Sequence, residues 1–160
     1  MNKNKTIRFP QRYTPKTLNA KDLALQKSEL LLSRKMYRRG KYHTRVHVNS
    51  FRSKPSNHVE RARNMYGVNV PSAELARKTK CSKRALEKIV NKGRGAYYSS
   101  GSRPNQTAES WGLARLASAV TGGNASLIDY SILQHGCSKD SPALRLATEL
   151  KKKKEKTIKK

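Results

Sequence analysis

A chain of 160 residues is long enough for one domain with a modest core and short for two independent ones. It holds 36 Lys and Arg against 10 Asp and Glu, a net charge of +26, so it is drawn to polyanions: nucleic acid, an anionic membrane surface or an acidic protein face. The opening MNKNKTIRFP lacks the apolar core of a signal peptide, no run approaches the roughly eighteen apolar residues of a membrane span, and two cysteines make neither a zinc site nor a disulfide framework.

These features predict an intracellular, reducing setting in which one Cys81–Cys137 disulfide is allowed and nothing demands it. The charge is uneven. Residues 1–92 carry 24 Lys and Arg and 5 acids, residues 93–150 carry 5 and 4, and the last ten carry 7 and 1. The near-neutral stretch therefore reads as the packed body, flanked by basic regions offered to a partner.

Residues 1–18 hold two prolines and no apolar periodicity, which predicts an extended basic arm with Ile7, Phe9 and Tyr13 as anchors. Asn19 suits a helix cap, Asp22 a first turn and Gly40 a stop, and leucines 23, 25, 30, 31 and 32 give that helix a broad apolar side. KYHTRVHVNSFRSKPS then alternates in part, as a short strand or extended linker does, and its two histidines, 43 and 47, read as ordinary surface residues.

Asn57 with Glu60 predicts the next helix start, and Val59, Ala62 and Tyr66 share one face before Gly67. Ser72 opens a short helix and Ser82 another. Leu75, Ala76, Cys81, Leu86 and Ile89 then fall where a helix-turn-helix unit, about 57–92, buries its side chains. That register exposes Ser82, Lys83, Arg84, Glu87, Lys88 and Asn91, of which the Lys and Arg suit phosphate or guanine contacts and the Asn can read adenine. Lys80 stands where such a turn favours glycine.

The lysine-free GRGAYYSSGSRPNQT supplies glycines, hydroxyls and two arginines, Arg94 and Arg103, ahead of a helix. Ser100, Ser102 and Arg103 make a candidate anion loop, although the spacing does not match a nucleotide-binding loop. Tyr97 and Tyr98 are expected to pack on Trp111. Trp111, Leu113, Leu116 and Val120 follow helical spacing and are the expected core, with Gly122 and Gly123 as the stop. A short helix through Leu127, Ile128 and Ile132 and a last one opened by Ser141 and Pro142 complete the body. Lys151, Lys152, Lys153 and Lys154 begin a solvated tail or polyanion contact.

Three runs, RRGKYHTRVHVNSFRSKPSNHVERARNMYGV, CSKRALEKIVNKGRGAYYSSGSRPNQTAESWGLARLASAVTGG and DYSILQHGC, resemble an uncharacterised family of small basic proteins encoded by large nucleocytoplasmic double-stranded DNA viruses. The resemblance covers about Arg34 to Cys137, two thirds of the chain. It implies a host class and no mechanism.

The expected architecture is mainly α. A basic arm over 1–18 precedes a single helical domain over 19–150, with the helix-turn-helix-like unit and then the core region 93–150, and a lysine-rich tail closes the chain over 151–160. With no paired carboxylates and no nucleophile beside a base, no catalytic residue, metal, cofactor or small-molecule substrate is expected. Within the host class that the resemblance implies, the leading reading is a minor capsid protein that bridges or lines the inner capsid side of the virion, with capsid proteins as partners; the alternative is a nucleic-acid-binding protein, for genome condensation or helix-turn-helix recognition, with double-stranded DNA as partner. Peripheral contact with an anionic membrane is compatible with the charge.

Overall fold

In the computed structural model, which describes residues 7–158, eight helices and one isolated bridge account for the regular structure among the described residues. The first six residues of the predicted arm and the last two of the predicted tail lie outside them. The chain forms two compact units, one from residues 1–53 and 98–107, the other from 54–97 and 108–160.

The first unit is organised by α1, Ala20–Arg38. Asn19 caps it, its side-chain oxygen accepting the Asp22 N–H at 2.8 Å. The last turn closes with Gly40 N–H on Tyr37 O and Lys41 N–H on Met36 O, a reversal in which Gly40 takes φ +74°. Of the five leucines expected on its apolar side only Leu30 is buried, alongside Asp22, Gln26 and Ser33, while Leu31 and Leu32 are exposed.

The physical reason lies in residues 41–53, which form neither helix nor strand and turn at Asn49 and Ser50, so the strand reading does not hold. Their backbone groups take side-chain partners instead. Val46 N–H donates to Glu29 at 3.2 Å, Ser50 N–H to Asp22 at 2.8 Å, and Asn105 accepts from Val48 N–H at 2.8 Å and donates back to Val48 O at 3.0 Å. A helix face that must supply acceptors to a bare backbone cannot be all leucine. The hydrogen bonds from Ser50 also hold the Asp22 carboxyl below its ordinary range. Residues 10–18 are turned rather than extended: Tyr13 N–H bonds Pro10 O, Leu18 N–H bonds Pro15 O, and Tyr13 and Leu18 are buried.

The second unit holds α2 (Asn57–Tyr66), α3 (Ala73–Thr79), α4 (Lys83–Ser99, up to Tyr97), α5 (Ala108–Val120), α6 (Ala125–Ile128), α7 (Tyr130–Gly136) and α8 (Pro142–Ile158). Serines begin four of them: Ser56, one residue before the expected Asn57, caps α2, Ser72 caps α3, and the Ser82 and Ser141 hydroxyls accept from Ala85 and Leu144. Leu75, Leu86, Ile89, Leu116, Val120 and Leu133 are fully buried in one core, with Ala62, Ala117, Ala143 and Ala147 filling between them. Leu113 packs against that core, and Trp111, expected within it, is half-buried.

Two stretches read as irregular are helical. GRGAYYS continues α4 to Ser99 because Gly93 is where a second helix comes close: a Cβ there would stand 2.6 Å from the Gly112 Cα. Lys151–Ile158, read as a tail, extend α8. Lysine is a good helix former, no glycine or proline intervenes, and cations favour a helix C-terminus.

Candidate functional site

The basic surface of the second unit is built on α4. Leu86, Ile89, Val90 and Gly93 are buried on one side, and Arg84, Lys88 and Asn91 follow each other at i, i+4 and i+7 on the opposite, exposed side. Other charges on α4 are spent within the molecule. Lys83 faces Glu87 at 3.9 Å, Lys92 lies 3.6 Å from Asp129, and Arg94 pairs with Glu109 while donating to the Asn91 oxygen at 2.9 Å. Asp129 is buried and held by two 2.7 Å bonds from Arg115, whose own pKa is raised by that bond. Among the described residues, neither Arg84 nor Lys88 has a carboxylate within ion-pair distance. These two are the cations of α4 without an ion pair among the described residues.

A feature that sequence spacing does not reveal fixes the approach to this helix. The segment Lys80–Ser82 between α3 and α4 pairs antiparallel with Gly136–Ser138: Ser82 N–H bonds Gly136 O at 2.8 Å and Ser138 N–H bonds Lys80 O at 2.9 Å. Cys81 and Cys137, opposite each other in that bridge, form a disulfide. Closing a loop of this length contributes about 4 kcal/mol in the chain-entropy account. The only sequence signal was that two cysteines admit one pairing. Lys80 adopts φ +55°, the conformation for which glycine was expected, and its ammonium pairs with Asp140, holding that carboxyl down at about 2.

The predicted anion loop divides. Ser102 is fully buried, its hydroxyl accepting from Arg45 at 2.6 Å and donating to the Arg103 carbonyl at 2.7 Å, so it faces the interior of the first unit. Ser100 and Arg103 are exposed, and Arg34 donates to the Ser100 carbonyl at 2.8 Å. Tyr98 lies with Tyr37 and Tyr42. On α8, Lys151 sits 4.4 Å from the centre of the Tyr130 ring, and Lys152, Lys153 and Lys154 are exposed.

A cleft of about 380 Å³ beside α4 is lined by Val70, Pro71, Glu87, Val90, Asn91, Arg94 and Glu109. Its two carboxylates make it a poor anion pocket. Among the described residues, no three His, Cys, Asp or Glu side chains gather as a metal site, and no helix is long and apolar enough to cross a membrane. His43 lies 2.6 Å from Glu29.

The model of a family of unknown function, DUF5824, matches residues 10–131. No curated protein and no solved structure gives a significant match.

Proposed function

We propose that the chain, which belongs to this family of unknown function and inherits no activity from it, is a non-enzymatic polyanion-binding protein whose partner is double-stranded nucleic acid. In this reading α3 and α4 act as a helix-turn-helix-like pair. Arg84 and Lys88 meet phosphates, Lys83 and Asn91 flank them, and the lysines of α8 add a second, unspecific contact. The observation that carries it is the exposed pair Arg84 and Lys88, left without carboxylates on a helix whose other cations are engaged. The Asn91 oxygen already accepts from Arg94, so the reading gives this helix phosphate contact before base recognition.

The test is duplex binding as a function of salt. Each phosphate contact contributes close to one unit to the slope of log affinity against log salt, so Arg84→Ala with Lys88→Ala lowers the slope by about two. An unchanged slope removes α4 from the interface.

A second reading is a virion protein of a large DNA virus, on the inner capsid side and bridging capsid subunits. Adjacent leucines, Leu31 and Leu32, each 40% exposed on α1, favour it, because they suit a protein partner better than phosphate. Under this reading, cross-links from Lys83, Lys88 and Lys151 to other proteins survive nuclease treatment.

A further inference from the structure

The first unit carries 15 Lys and Arg against two acids, Asp22 and Glu29, and both acids are occupied by backbone N–H groups of residues 41–53. From Leu30 to Val59 there is no acid at all. In the middle of this stretch lie aromatic side chains that the nonspecific attraction of charge does not require.

Three tyrosines converge there. Tyr37, on the last turn of α1, and Tyr98 lie nearly parallel, 6.5 Å apart with planes 9° from one another. Tyr42 leans on both, 5.0 Å from Tyr98 and 6.2 Å from Tyr37. The backbone fixes this grouping. The reversal at Gly40 folds Tyr42 back beside Tyr37, and the Ser33 hydroxyl donates to the Tyr98 carbonyl at 3.2 Å, which ties the second segment to α1. A cluster formed only to bury itself would hide its members, yet Tyr42 remains 72% exposed and Tyr37 38%. Lys35, Arg38, Arg39 and Lys41 surround it in sequence, and all four are exposed.

Exposed, prearranged aromatic faces flanked in sequence by exposed cations have a chemical complement in unpaired bases carried on a phosphate backbone. A duplex offers phosphates but keeps its base faces stacked; a single strand offers both. We infer that the Tyr37–Tyr42–Tyr98 cluster is a stacking platform for single-stranded nucleic acid, with Tyr42 as the face that takes a base and Lys35, Arg38, Arg39 and Lys41 tracking the phosphates. This rests on the polyanion-binding reading above and adds to it a second ligand class on a different unit.

The experiment compares the full chain with Tyr42→Ala and Tyr42→Phe for binding to labelled oligo(dT) and oligo(U) of about twelve nucleotides, a duplex, and heparin, which has charge but no bases. Tyr42→Ala is expected to weaken oligo(dT) or oligo(U) binding about 5- to 100-fold, leaving duplex and heparin affinity unchanged, while Tyr42→Phe keeps the wild-type affinity. Which oligomer loses more tells DNA from RNA. Tyr42→Trp supplies a spectroscopic check, since base stacking quenches its fluorescence and heparin does not. Equal losses for all four ligands, or no loss with the oligomers, overturns the platform while the duplex reading stands. Wild-type protein that binds none of the nucleic acids overturns both.

Discussion

The hydroxyl of Tyr66 donates at 2.7 Å to the carbonyl of Val120, the last residue of α5, so a side chain from α2 satisfies an acceptor that the end of a helix leaves open. Burial raises its pKa from 10.0 to about 12, because the phenolate would lose water, a cost that the charge of Arg145 offsets only in part. A group whose folded pKa is raised contributes stability that is complete below its unfolded value and is lost as pH climbs through the folded one. The loss for Tyr66 therefore falls between pH 10 and about 12, and with solvent screening it amounts to about 1 to 2 kcal/mol. Lysines also lose charge in this range, which relieves repulsion and acts in the opposite direction. The difference between wild type and Tyr66→Phe isolates the tyrosine. In denaturant titrations Tyr66→Phe is expected to be less stable at pH 7 by about 1 to 2 kcal/mol, from the unsatisfied carbonyl, and this gap should close by pH 12. A gap independent of pH would mean that Tyr66 titrates as an exposed phenol.

At the scale of the element, the close approach of α4 and α5 turns on two glycines. A Cβ on Gly93 would stand 2.6 Å from the Gly112 Cα, and one on Gly112 would stand 2.7 Å from the Val90 carbonyl oxygen. Alanine would improve helix propensity by about 1 kcal/mol at either position, but backbone atoms cannot move aside as a flexible side chain can. Gly93→Ala is therefore expected to destabilise by about 1 to 3 kcal/mol, read from the denaturation midpoint. A stabilised variant would show that the helices have room to part. The same glycines explain one limit of the sequence. Helix starts at Asn19, Ser72 and Ser82 were legible because a cap is a local event between a side chain and an N–H three residues on. Gly93 and Gly95 look like loop residues until the facing helix is known. The alternation from Tyr42 to Val48 was visible, but the partners that replace a strand, Glu29, Asp22 and Asn105, lie far away in the chain. The exposed stripe of α4 follows from helical period alone, whereas the tyrosine cluster joins residues 37, 42 and 98 and has no local signature.

For the molecule as a whole the governing quantity is the surplus of cations. Each unit carries half of the net +26, although the first has 63 residues and the second 97. Exposed ion pairs such as Lys83–Glu87 and Lys78–Glu74 contribute at most about 1 kcal/mol each, so screening them costs little. Screening the repulsion within each unit gains more, because ten acids cannot offset 36 bases wherever they sit. The melting temperature is therefore expected to rise as sodium chloride increases from about 0.02 M to about 0.5 M, where the screening length falls to a few ångströms. A polyanion should do the same at low salt and far lower concentration, through binding to the folded chain alone. Thermal melts with a duplex, with an oligo(dT) and with heparin at about 0.02 M salt measure this, and added salt should abolish the polyanion's share while keeping its own. A melting temperature that falls with salt would mean that the few carboxylates hold the units together more strongly than the surplus cations strain them.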